Sequence, residues 1–151
     1  MQARAGTPAS VGIATGQYGM RKEIPHALGI DLQVRMPWRW MPWRWTVFRP
    51  ASGVLASSNG SVMAYSGILI DFPLAASIHL TPGFAPAFVV SRGDEDLGSR
   101  LEFRSSLEVS FAPMDEVRIA LAFSHVSNAR LTHRNPGVEV LTLGFSFPTG
   151  P

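Results

Sequence analysis

The segment from Val117 to Ser127 alternates, so one face of an extended chain would carry Val117, Ile119, Leu121, Phe123, His125 and Ser127. The segment from Glu139 to Phe147 does the same with Glu139, Leu141, Leu143, Phe145 and Phe147. In both, an apolar face ends in a group capable of acid–base or nucleophilic chemistry. Paired as antiparallel strands around the loop Asn128–Val138, the two segments bring imidazole, hydroxyl and carboxylate together. A serine hydroxyl is a weak nucleophile until a base takes its proton, and that base is usually a histidine oriented by a carboxylate. His125 and Ser127 stand about 6.5–7 Å apart along one strand face. Their side chains can lean together, and Glu139 can reach the other ring nitrogen from the next strand. The chain order His–Ser–Glu differs from that of soluble hydrolases, but a triad is defined by geometry. There is no G-x-S-x-G elbow, which excludes an α/β-hydrolase.

These residues need a sheet to position them, and the composition favours one. A length of 151 residues suits one domain, 1–151. No apolar stretch is long enough for a transmembrane helix. The absence of cysteine excludes disulfides and thiolate metal sites. The 14 glycines and 12 prolines interrupt the chain too often for long helices. A net charge of +2 is too weak to suggest a nucleic-acid binder. The N-terminus has no basic-then-apolar leader pattern, so the compartment has to be argued from the fold. Eight strands are predicted, at 9–17, 27–36, 43–57, 60–72, 75–91, 97–111, 115–127 and 137–147. The sixth is cleanest: Leu97, Leu101, Phe103, Leu107, Val109 and Phe111, with Ser99 and Ser105, oppose Arg100, Glu102, Arg104, Ser106, Glu108 and Ser110. The second sets Leu28, Ile30, Leu32, Val34 and Met36 against Gly29, Asp31, Gln33 and Arg35. The first, third and fourth alternate poorly.

Several of these strands reach ten residues or more, the length a tilted strand needs to cross a bilayer. Their polar faces carry both signs of charge in mid-strand. A membrane barrel has this inverted pattern, apolar outside with paired charges inside. Asp31, Arg35, Glu102, Arg104, Glu108 and Arg118 fit such an interior network. The contrasting reading is a soluble, lipocalin-like ligand-binding barrel whose charged face meets water. Phe72–Leu74 and Ala112–Asp115 form short connections. Tyr18–His26, Ser91–Asp96 and Asn128–Val138 are longer and polar. With both termini on the periplasmic side, the long loops lie outside the cell, as in bacterial outer-membrane barrels. Met36-Pro37-Trp38-Arg39-Trp40 is repeated at once as Met41-Pro42-Trp43-Arg44-Trp45, which holds all four tryptophans. Trp beside Arg suits a membrane–water interface; a duplication with no role of its own is the other reading.

Residues 123–147 resemble the lipid A 3-O-deacylase family of the PagL type. The resemblance rests on His125, Ser127, Asn128 and Ala129 (H-x-S-N-A), then Asn135 and Gly137 in a short loop, then Glu139 on the last strand. Leu97–Phe103 is a weaker echo, similar to the family's penultimate hairpin. The resemblance implies an all-β, eight-stranded antiparallel outer-membrane barrel that hydrolyses the 3-position acyl ester of lipid A without metal or other cofactor. It implies Ser127 as nucleophile, His125 as base and Glu139 as orienting acid. It suggests Asn135 as oxyanion donor, helped by the backbone N–H at Arg130, where the family often has glycine, with Asn128 a second candidate. Lipid A, and so lipopolysaccharide of the outer leaflet, is the expected partner, and a homodimer is compatible with the sequence. Arg21, Lys22, Arg92, Arg130, His133 and Arg134 lie in outside loops, where guanidinium groups suit phosphates; ordinary loop polarity is the alternative. His26 and His79 have no evident acidic partner and read as structural, and His133 as solvent-facing. The rival to an esterase is a non-catalytic structural or adhesive barrel that keeps the motif by descent.

Overall fold

The computed structural model describes residues 8–21, 26–43, 45–114 and 117–150. Its strands are β1 (Ala9–Tyr18), β2 (Ala27–Arg35), β3 (Trp40–Trp43), β4 (Thr46–Ser57), β5 (Ser61–Pro73), β6 (Ile78–Arg92), β7 (Leu101–Met114), β8 (Val117–Ser127) and β9 (Val138–Thr149). The sheet runs β2-β1-β9-β8-β7-β6-β5-β4-β3, and β2 also pairs with β4. That last pairing closes eight antiparallel strands into a barrel, with the short β3 appended to β4. Closure leaves the barrel wall no open sheet edge, the condition for a sheet to stand in lipid.

Two predicted strands differ from those observed. The segment 43–57 is β4 preceded by β3, because the chain reverses between Trp43 and Thr46. The segment 97–111 begins as a strand only at Leu101. Gly98 has φ +88°, outside the strand region, and a Cβ there would stand 1.9 Å from Arg134 O. Leu97 therefore does not share the outward face of β7. It is buried with Tyr18, Met63, Val126, Val138 and Val140 in an apolar plug that fills the barrel beneath the outer loops.

Each barrel strand puts apolar side chains outside, among them Ile13, Leu32, Val54, Ile68, Phe84, Leu107, Leu121 and Leu143. Charged groups face inward and pair. Arg104 Nη2 lies 2.8 Å from Asp31 Oδ2, and its guanidinium sits 4.5 Å over the Tyr65 ring. Tyr65 donates its hydroxyl to Asp31 Oδ1 at 2.6 Å. Arg35 meets Glu108 at 2.6 Å, and Arg118 grips both oxygens of Asp71 at 2.7 and 2.9 Å. The distribution is that of a membrane barrel and removes the soluble-barrel reading. Two expectations are corrected. Glu102 faces inward, but among the described residues its carboxylate oxygens have no side-chain partner. His79 has an acidic partner after all, since its Nδ1 lies 3.0 Å from Asp71 Oδ2. His26 sits on Gly19 O at 2.7 Å and pairs with no acid among the described residues.

Candidate active site

The β8–β9 register places His125 directly opposite Glu139. Both stand on the outward face at the end of the barrel bearing the long loops, and the ladder turns their period-two patterns into contact. His125 Nδ1 lies 3.1 Å from Glu139 Oε1. An ionised Glu139 accepts the Nδ1 proton, which leaves Nε2 as the free basic nitrogen. The imidazole is 38% exposed and the carboxylate 10%, so the ring is reachable from outside while the carboxylate is sheltered.

Ser127 shares the outward face two residues beyond His125 and pairs across the ladder with Phe103 of β7. Its hydroxyl makes no hydrogen bond to the imidazole; such contacts often close only around a bound substrate. On β7, Ser105 stands opposite His125, between Phe103 and Leu107. Phe103 is stacked on Phe84, ring centroids 6.0 Å apart. Below the polar groups lie Phe123, Leu107 and Leu141, a surface fit for an acyl chain.

The loop after Ser127 is held in an unusual shape. Ala129 and Arg130 have φ of 52° and 64°, the left-handed region that glycine prefers. Each costs about 1–2 kcal/mol in a residue with a Cβ, strain that clusters at functional sites. Arg130 thus takes the backbone form that a glycine would favour. Neither the Ala129 nor the Arg130 N–H has a hydrogen-bond partner among the described residues. Asn128 is fully buried. Its Nδ2 lies within hydrogen-bonding distance of Leu97 O, Thr132 Oγ1 and Arg134 O, at 3.1, 3.0 and 2.8 Å. That amide fastens the β8–β9 loop to the β6–β7 loop. Asn135 Oδ1 accepts the Asn128 N–H at 3.0 Å, and its Nδ2 has no hydrogen-bond partner among the described residues.

Gly137 closes the site on its other side. Its φ is +66°, and a Cβ there would lie 2.9 Å from His125 Cε1 and 3.4 Å from Nε2. The glycine leaves the imidazole its place.

The cationic candidates divide. Arg21 lies on Glu139, its Nη2 2.6 Å from Oε1. Arg92 and Arg134 both approach Asp96, at 3.4 and 3.6 Å. Arg130 forms no ion pair among the described residues, and with Leu131, Thr132, His133 and Asn135 it lines a cleft of about 380 Å³ beside the site. Lys22 lies outside the described residues. Sequence reasoning missed the Arg21–Glu139 pair and the role of Gly137. The glycine between Asn135 and Glu139 was the available signal for the latter.

Outward apolar strands, paired interior charges and a polar cluster at the outer rim define an outer-membrane β-barrel hydrolase. The sequence model described as "Lipid A 3-O-deacylase (PagL)" matches residues 27–148, and the chain belongs to that family. No curated protein matches the chain. Among solved structures, the crystal structure of the outer membrane enzyme PagL is similar over 93% of this chain and 99% of its own, with TM-score 0.71 and 21% identity. Neisserial surface protein A (NspA) is similar over 93% and 96%, with TM-score 0.57 and 11% identity. A designed transmembrane β-barrel has TM-score 0.57 at 6% identity, covering 98% of this chain and 100% of its own. At these identities the likenesses show the shared fold.

Proposed function

We propose that this chain removes the acyl chain esterified at the 3-position of lipid A, with Ser127, His125 and Glu139 as the catalytic residues. The supporting observation is the His125–Glu139 pair at 3.1 Å on the lipid-facing side of the outer rim, with Ser127 on the same face. Lipid A lies in the outer leaflet, so its ester bonds meet this face of the barrel without entering the lumen.

In this reading His125 Nε2 takes the Ser127 proton as Oγ attacks the ester carbonyl, and Glu139 stabilises the imidazolium that forms. The tetrahedral oxyanion is met by Asn135 Nδ2 and by backbone N–H groups of Ala129 and Arg130, donors aimed where charge develops. The imidazolium returns its proton to the departing sugar oxygen. Water, activated by the same imidazole, then releases the fatty acid from Ser127. The acyl chain lies along Phe103, Leu107, Phe123 and Leu141, and Arg130 faces a phosphate.

The test is mass spectrometry of lipid A from cells expressing the protein. The expected result is loss of the mass of one hydroxyacyl chain. Ser127→Ala and His125→Ala should each abolish that loss while leaving a barrel that still shifts its electrophoretic mobility on heating. Unaltered lipid A with the wild-type chain would favour the non-catalytic barrel. Full activity in either variant would remove the triad.

A further inference from the structure

The chain's four tryptophans all fall in the tandem repeat, and all are exposed, from 55% at Trp40 to 73% at Trp38. Their placement is ordered. β2 ends at Arg35, opposite Ala51 of β4, and β3 then takes its place beside β4, pairing Trp40 with Phe48. Phe48 precedes the inward, buried Arg49 and so faces outward. The Trp40 and Trp43 rings lie 5.3 and 6.4 Å from the Phe48 ring. This aromatic cluster continues the apolar belt of the barrel at the end opposite His125. Arg39, between Trp38 and Trp40, goes the other way and lines the lumen with Arg35, Asp71 and Arg118. The repeat therefore sends indole rings out and a guanidinium in.

We propose that the β3–β4 hairpin is an interfacial anchor, whose partner is the phospholipid headgroup and glycerol layer of the inner leaflet. An indole has a large apolar body and one N–H donor, and the headgroup layer satisfies both. Bulk water would leave the ring surface exposed, and the hydrocarbon core would strand the N–H. Continuity with the lipid-facing belt places lipid against these rings, because the belt and Phe48 share one face.

The tryptophan complement makes the test direct, since emission excited selectively at tryptophan, apart from Tyr18 and Tyr65, reports on this repeat alone. The protein is reconstituted in phosphatidylcholine vesicles brominated either near the ester linkage or near the chain end. The expected result is emission blue-shifted from that of the urea-unfolded chain, quenched most by the shallow bromines. Aqueous iodide should quench it less than it quenches the unfolded chain. Water-like emission with no bromine quenching would overturn the proposal and leave the rings free for a protein partner. Strongest quenching by the deep bromines would overturn it too, by placing the rings in the core. No outcome depends on catalysis.

Discussion

Gly137 offers a sharp test of whether the imidazole has to be held in place. A methyl group added there would stand 2.9 Å from His125 Cε1 and 3.4 Å from Nε2. Carbon atoms at rest sit about 3.5–4.0 Å apart, so the ring would have to retreat by roughly 0.6–1 Å. That movement stretches the 3.1 Å contact with Glu139 or turns Nε2 away from Ser127. A misplacement of about 1 Å can lower a rate by roughly 100-fold, or about 2.7 kcal/mol in barrier. The backbone strain of alanine at φ +66° adds about 1–2 kcal/mol of destabilisation. Gly137→Ala should therefore lower kcat by roughly 10–100-fold while the barrel still folds. The control is Gly60→Ala, which has the same kind of strain at φ +92° but meets only Gly93 Cα, at 3.4 Å. It should lose stability and keep its rate. Initial rates on lipid A in mixed micelles, read beside heat-modifiable mobility, separate the two effects. A wild-type rate in Gly137→Ala would refute the reasoning, since the imidazole could then shift without consequence.

Glu139→Asp should keep part of the activity, because the charge remains and only its reach shortens, whereas Glu139→Gln should be poor; wild-type turnover in both would leave His125 to be oriented by another group. Arg21→Ala should lower kcat about tenfold, the loss of one charged hydrogen bond to Glu139, with partial rescue by lysine. A rise in KM at constant kcat would instead assign Arg21 to substrate. Burial holds the Glu95 carboxyl above its ordinary value of 4.5, and its Oε2 has no partner among the described residues. Its neutral form suits the fold, so stability is complete below the ordinary value and is lost as pH rises through the raised one. Glu95→Gln should thus gain thermal stability over wild type progressively from acid to neutral pH; a gap that does not change with pH would refute this.

The site was legible where local periodicity carried it. His125, Ser127 and Glu139 share an outward face because their positions follow the period of two, and the ladder sets His125 against Glu139. The interior pairs of Arg35, Arg104 and Arg118 were legible for the same reason, as charges opposite apolar runs. What was not legible depends on closure and on turns. Arg21 reaches Glu139 because β1 pairs with β9, which joins the two ends of the sequence. Asp71 sits near a strand end, where the sequence suggests a turn, and its partner Arg118 lies 47 residues away. The resemblance suggests Asn128 as a second candidate oxyanion donor; its work in fastening two loops depends on Gly98 bringing Arg134 O close. β3 was hidden by Pro42 and by a repeat whose pattern no single strand accommodates.

The direction each charge faces separates stability from function. Among the described strand residues, Asp31, Asp71, Glu102 and Glu108 are carboxylates on the inward register, while Glu139 stands on the outward one. The inward acids sit where lipid never meets them. Glu139 is at the lipid face, its Oε1 shared by His125 and Arg21 and its Oε2 buried with no partner among the described residues. A carboxylate near the interface costs a barrel up to about 1 kcal/mol, and nothing in the wall requires one there. A local rule broken where the barrel wall does not require it supports the catalytic role proposed for Glu139. Glu139→Leu should accordingly give a barrel at least as stable as wild type, by up to about 1 kcal/mol, and with little or no deacylase activity. Leucine there would extend the outward row of Leu141 and Leu143, while Arg21, already 55% exposed, turns to water. Urea midpoints in lipid vesicles measure the first effect and lipid A mass the second. A Leu variant markedly less stable than wild type would mean that the Arg21–Glu139–His125 cluster holds the outer rim together, and its place on the lipid face would then need no catalytic explanation.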